Sequence, residues 1–128
     1  MLKLILLIED DAFFAVMTAK MLAPAKVRIA RNGKEGMEYF AHERFDMVIT
    51  DLVMPEKDGL STIIDIRKQD PDIPIIAISG GGNIGTQGDL LRLAAQIGAT
   101  QTLAKPFGRE QLLAKVRACA PSAEPCPV

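Results

Sequence analysis

Apolar positions along this chain fall into two alternating patterns. Short runs rich in branched residues occur at Leu4–Ile8, Met47–Thr50 and Ile73–Ser79. Apolar almost throughout, they suit strands covered on both faces, as the central strands of a parallel sheet are. Lys26–Ala30 differs, because Val27 and Ile29 alternate with Lys26 and Arg28; this predicts a strand with one wetter face, near a sheet edge. A fifth candidate strand is Thr100–Ala104. Between these runs apolar residues recur at helical spacing: Phe14, Met17 and Met21; Met37 and Phe40; Leu60, Ile63 and Ile64; Leu90, Leu93, Ala94 and Ile97; Leu112 and Val116. Boundary residues agree with this division. Asp11 is placed to cap the first helix, Pro24 follows its end, Asn32-Gly33 precede the second, and Gly98 follows the fourth.

Strict alternation of five strands with five helices in one short domain predicts right-handed βαβ crossovers and an α/β fold, a parallel sheet between two layers of helices. Such sheets bind ligands at the carboxyl ends of their strands, so the residues closing each strand are where chemistry is expected. The domain is expected to span residues 1–119. Pro121, Pro125 and Pro127 cannot continue a helix and predict a flexible tail over 120–128.

Composition narrows the function classes. The 128 residues are one domain's length, and 48% hydrophobic content argues against disorder. Fifteen Lys and Arg against 16 Asp and Glu leave a net charge of −1, which gives no broad field for gripping a phosphate backbone. One Tyr, five Phe and no Trp offer few platforms for stacking bases, so direct nucleic-acid binding is not expected. Leu4–Ile8 runs into Glu9 after five residues, too short for a signal peptide or a membrane span. Cys119 and Cys126 form no CxxC pair, which suits two reduced thiols of a cytoplasmic protein.

The strand ends carry the chemistry. The first strand closes in Glu9 and Asp10, the third in Asp51, the fourth in Ser79, and the fifth leads into Lys105. Three carboxylates converging on a partly desolvated crevice repel one another unless a cation offsets them. Oxygen ligands favour Mg²⁺, Mn²⁺ or Ca²⁺ over zinc. Beside such an ion, Asp51 is the best-placed nucleophile for an aspartyl phosphate. Lys105 and Ser79 can share the charge on the phosphoryl oxygens.

These residues stand in four blocks: Ile5 to Asp11, Val48 to Gly59, Ile75 to Gly80, and Gly98-Ala99 followed by Leu103-Ala104-Lys105-Pro106-Phe107. In that order they resemble the receiver domain of two-component response regulators, over Leu2 to Ala118. The resemblance implies a flavodoxin-like doubly wound sheet of strand order 2-1-3-4-5. It implies Glu9 and Asp10 as the acidic metal pair, Asp51 as phosphoacceptor and metal ligand, and the Val53 backbone carbonyl as a further ligand to Mg²⁺, with Mn²⁺ as the alternative ion. Ser79 is implied as the switch hydroxyl and Lys105 as the phosphate contact. Implied partners are a histidine kinase or histidine phosphotransfer protein and a downstream effector protein. Phosphorylation of Asp51 is expected to move Ser79 and to alter the surface formed by Thr86–Ile97, Thr100–Ala104 and Arg109–Ala118. The length, Met1 and the proline-containing tail suggest a complete, stand-alone receiver that signals by binding. An output-less phosphate relay or sink differs from this only in partners.

Two departures from the family pattern stand out. Thr102 occupies the position on the fifth strand where the family usually carries Tyr or Phe as a rotamer switch. After the fourth strand runs an extended glycine-rich stretch, Gly80–Gly88, containing a literal GxGxxG at Gly80, Gly82 and Gly85. That fingerprint belongs in the first strand-to-helix turn, with an acid about 20 residues on. Here it follows the fourth strand, and a loop that rearranges with Ser79 is expected instead. A metal-dependent aspartyl phosphatase needs a second Asp two residues beyond its nucleophile, where this chain has Val53. An apolar side chain there cannot orient a water, so a long-lived aspartyl phosphate is expected. His42 reads as a solvated surface residue, Met17, Met21 and Met37 as core filler, and Arg67-Lys68 with Asp70 and Asp72 as a solvated helix end.

Overall fold

A computed structural model describes residues 3–53, 58–80 and 86–119, and the backbone alone at 86–88. Strands and helices alternate as β1 (Leu4–Ile8), α1 (Ala12–Leu22), β2 (Lys26–Ala30), α2 (Gly33–His42), β3 (Met47–Asp51), α3 (Gly59–Gln69), β4 (Ile75–Ser79), α4 (Thr86–Ile97), β5 (Gln101–Ala104) and α5 (Arg109–Cys119). All four pairings are parallel, in the order β2-β1-β3-β4-β5. The half-polar β2 lies at an edge, and the chain reverses its winding between β1 and β3, where a crevice opens at the carboxyl ends of the strands.

Alternate strand residues supply two separate cores. Ile5, Leu7, Met47, Ile49, Ile76 and Ile78 face one way, against Ala15 and Leu22 of α1 and Leu112 of α5. Leu6, Ile8, Val48, Ile75 and Ala77 face the other, against Ile63 and Ile66 of α3 and Ala94 of α4. Covering both faces removes the strands' aliphatic surface from water, the main favourable term in folding.

The capping residues act as the sequence suggests. Asp11 accepts the Phe14 N–H at 3.0 Å, Asn32 accepts the Glu35 N–H at 2.8 Å, and Gly98, at φ 137°, turns the chain away from α4. Several side chains differ from expectation. On α1 the buried residues are Ala15, Thr18 and Leu22, the anticipated spacing shifted by one position, while Met17 is exposed rather than core filler. Most of this helix's circumference is apolar, so periodicity leaves its rotation open, and the small Ala15 and Thr18 let it sit close to the sheet. Ile64 and Leu93 are likewise exposed. β4 starts at Ile75 rather than Ile73, because Asp70 Oδ1 accepts the N–H groups of Asp72 and Ile73 and ties that segment into a turn. α4 begins at Thr86, inside the stretch expected as loop, with Asp89 in its first turn where negative charge favours a helix start. Residues 54–57, most of the glycine-rich loop (81–85) and the 120–128 tail lie outside the described residues.

Cys119 closes α5 within the first core, and burial pushes its thiol up to about 11 from the usual 9.0. The folded chain therefore holds this proton more tightly than the unfolded chain, and the associated stability is present below pH 9 and lost as pH rises toward 11. In a Cys126→Ser variant, iodoacetamide at pH 8 is expected to label the native chain far more slowly than the urea-unfolded chain. Equal rates would show that Cys119 is open to solvent.

Candidate functional site

Glu9 continues the sheet ladder one residue past β1, its N–H donating to Ala30 O at 2.9 Å. Its side chain is thereby committed to the crevice, where it is buried. Asp51 closes β3, level with Ile78 of β4, and is also buried. Asp10 remains exposed. One carboxylate oxygen from each of these three lies within 4.8 Å of the others, so the expected acidic cluster forms. Asp11 stands apart as the helix cap, though its N–H donates to Glu9 Oε2 at 3.2 Å and steadies that carboxylate.

Lys105 leaves the end of β5 and crosses to this cluster. Its Nζ donates to Asp51 Oδ2 at 3.2 Å and lies 3.1 Å from Glu9 Oε1. Burial works against the ammonium, but Asp51 and Glu9 together outweigh it and raise the Lys105 pKa. Burial also acts on Glu9, with the charge of Asp51 adding to it, and pushes its carboxyl up to about 7. Ser79 closes β4 between Asp51 and Lys105 on the neighbouring strands, and its carbonyl accepts the Lys105 N–H at 2.9 Å. Val53 is 60% exposed, and its N–H donates to Asp51 Oδ1 at a long 3.4 Å.

The arrangement suits a hard divalent cation. Among the described residues, none donates a well-aligned hydrogen bond to the buried Glu9 Oε1, although the Lys105 ammonium lies 3.1 Å away as an ion pair. A buried carboxylate oxygen in that state is poorly compensated, and it faces two further carboxylates of the kind that hold Mg²⁺.

Two residues of the site escaped sequence reasoning. Phe14, read only as one apolar position of a helix, has its ring under the Lys105 ammonium. Gly59, read only as the end of the block that begins at Val48, lies directly against the Asp51 and Leu52 backbone. Thr102 is level with Ala77 and half-buried, so β5 carries no ring at that position. His42 is exposed as expected. Arg67, by contrast, is no solvated helix end: its guanidinium donates to Gly98 O, Asp70 O, Ile73 O and Thr100 Oγ1.

Residues 5–117 match the family model described as the response regulator receiver domain. The probable C4-dicarboxylate response regulator DctR of Bacillus subtilis is 35% identical over 112 residues, which cover 84% of this chain and 48% of that protein. The chain thus spans about half the length of this curated relative. Among solved structures, a receiver domain protein from Clostridium thermocellum is 29% identical, with a TM-score of 0.81 over 92% of this chain and 94% of the other. The receiver domain of NtrX from Brucella abortus is 26% identical, with a TM-score of 0.82 over 92% and 99%. Among the described residues, no helix is long and apolar enough to cross a membrane.

Proposed function

Because the chain belongs to the response regulator receiver domain family, whose members accept phosphate rather than turn over substrates, we propose that residues 1–119 form a switch phosphorylated on Asp51. The reading is carried by one observation: the Lys105 ammonium lies between the buried carboxylates of Asp51 and Glu9, at 3.2 and 3.1 Å. The donor is a histidine kinase or histidine phosphotransfer protein. An Asp51 carboxylate oxygen attacks phosphorus, and the donor's P–N bond breaks. The departing imidazole nitrogen keeps that electron pair and takes a proton from solvent.

Glu9, Asp10 and Asp51, with the Val53 backbone carbonyl, would hold Mg²⁺ (or Mn²⁺). When bound, the ion supplies positive charge that offsets the carboxylates and the phosphoryl oxygens. Lys105 keeps its place while its partner changes from the Asp51 carboxylate to the new phosphoryl group. Ser79 is the hydroxyl drawn toward a phosphoryl oxygen, and that movement alters the surface offered to an effector protein by α4, β5 and α5. Charge-assisted hydrogen bonds of this kind are strong enough to bias two close-lying conformations.

The test is intact-mass measurement after incubation with acetyl phosphate and Mg²⁺. A gain of one phosphoryl group is expected in the parent, none with a chelator present, and none in Asp51→Asn. Gain that persists in Asp51→Asn sinks the assignment. A second outcome concerns lifetime. Val53 stands beside Asp51 and offers no group to orient an attacking water, so Val53→Asn is expected to shorten the phosphoryl half-life several-fold. Equal decay of the two proteins would remove the side chain from the account.

A further inference from the structure

Lys105 is held by more than the carboxylates at its tip. Its Nζ lies 4.2 Å from the centroid of the Phe14 ring, well inside the range of a cation–π contact, which extends to about 6 Å. Phe14 sits in the first turn of α1 and is half-buried. Its ring is braced edge-on by Phe107, with centroids 5.4 Å apart and planes at 84°, a favoured aromatic geometry. At the root of the side chain, Lys105 passes over Gly80, where an added Cβ would come within 2.1 Å of Lys105 Cβ. The lysine therefore runs from Gly80 along the Phe14 face to Glu9 and Asp51.

The three partners at its tip differ in one respect. Glu9 and Asp51 are the carboxylates a divalent cation would take, and Asp51 is also the group to be phosphorylated. A bound cation would compete with Lys105 for both carboxylates, and phosphorylation would replace the Asp51 carboxylate by a phosphoryl group, so neither carboxylate is a fixed partner for the ammonium. The ring has a negative face but no ligand atom for a hard cation, so it is the partner the ammonium keeps. A lysine stem has many rotamers and loses most of that freedom only where several contacts agree.

We propose that Phe14 is a positioning residue for Lys105, its ring face holding the ammonium over the crevice ready to meet the phosphoryl oxygens. This rests on the reading of Asp51 as phosphoacceptor. It also assigns the braced pair Phe14 and Phe107 a role at the site in a chain whose β5 carries Thr102 where the family usually places a ring.

Phosphorylation of the full chain by acetyl phosphate at saturating Mg²⁺ provides the measurement. Phe14→Leu keeps an apolar side chain and removes the ring face; it is expected to slow phosphoryl gain about fivefold, and Phe14→Tyr to restore most of the rate. In a Lys105→Met background, Phe14→Leu is expected to change nothing further, a coupling that a merely structural ring would not produce. An unchanged rate in Phe14→Leu, or the same slowing with and without Lys105, overturns the proposal. Phe14→Met serves as the second truncation if the leucine variant unfolds. The Lys105 ε-methylene protons report independently of phosphorylation. They are expected to be shielded by the ring in the parent and in Phe14→Tyr, and unshielded in Phe14→Leu. Absence of shielding in the parent overturns the placement. Mass gain that persists in Asp51→Asn would sink the acceptor reading and leave the proton shifts to decide the ring contact.

Discussion

Gly59→Ala is expected to lower the thermal midpoint by about 10 °C, a loss of about 3 kcal/mol. A Cβ at this position would stand 2.2 Å from Asp51 O, 2.6 Å from Leu52 Cα and 3.0 Å from Asp51 C. All three are backbone atoms, so no side chain can swing aside. Neighbouring contacts hold both parties in place. The Gly59 N–H donates to Leu52 O at 3.2 Å, and Thr50 Oγ1 donates to the same Asp51 carbonyl at 2.9 Å. Asp58 caps α3 by accepting the Ser61 N–H at 2.8 Å. Relief requires α3 to move off β3, which opens the packing of Thr62, Ile63 and Ile66, all fully buried, and displaces the end of the strand that presents Asp51. The variant is therefore expected to lose phosphorylation rate as well as stability. A midpoint within about 1 °C of the parent would show that the helix adjusts without cost.

The second large effect lies at the opposite end of the sheet. Arg67→Lys is expected to cost about 3 kcal/mol of stability in urea unfolding, although charge is kept. From the last turn of α3 the guanidinium donates to Gly98 O at 2.9 Å, Ile73 O at 2.7 Å, Asp70 O at 3.1 Å and Thr100 Oγ1 at 3.3 Å. It joins the end of α3, the segment leading into β4 and the turn leading into β5. Thr100 Oγ1 in turn accepts the Ile75 N–H at 3.1 Å, where β4 begins. Burial lowers the Arg67 pKa, yet a guanidinium stays charged, and its planar fork reaches acceptors in several directions. An ammonium presents a single donor atom and leaves carbonyls unpaired, the expensive half of a broken hydrogen bond. A lysine variant as stable as the parent would show that water replaces the fork.

The separate character of these two positions explains what could be read in advance. Leu4–Ile8, Met47–Thr50 and Ile73–Ser79 are legible as buried strands because being covered on both faces demands nearly unbroken apolar sequence, although the last of them begins only at Ile75. Glu9, Asp51 and Ser79 are legible as site residues because each ends such a run, and a doubly wound sheet brings its strand ends to one edge. The rotation of α1 was not legible. Phe14, Val16, Met17 and Met21 are all apolar, and only contact with the sheet selects Ala15, Thr18 and Leu22 for the interior. Arg67 was misread for the related reason that its acceptors lie up to 33 residues away.

Sequence by itself determined the alternation of elements, the α/β class and the set of acidic, hydroxyl and ammonium groups at the strand ends. These follow from local periodicity and from where apolar runs stop. Only the tertiary structure decided that Lys105 lies within 3.2 Å of both Glu9 and Asp51, that Phe14 lies beneath its ammonium, and that Gly59 leaves no room beside Asp51. The Lys105 contacts join segments far apart in the chain, and the one at Gly59 depends on how α3 packs against the end of β3. No periodicity encodes them, because they arise only after two cores have packed on one sheet and set the distances between its edges.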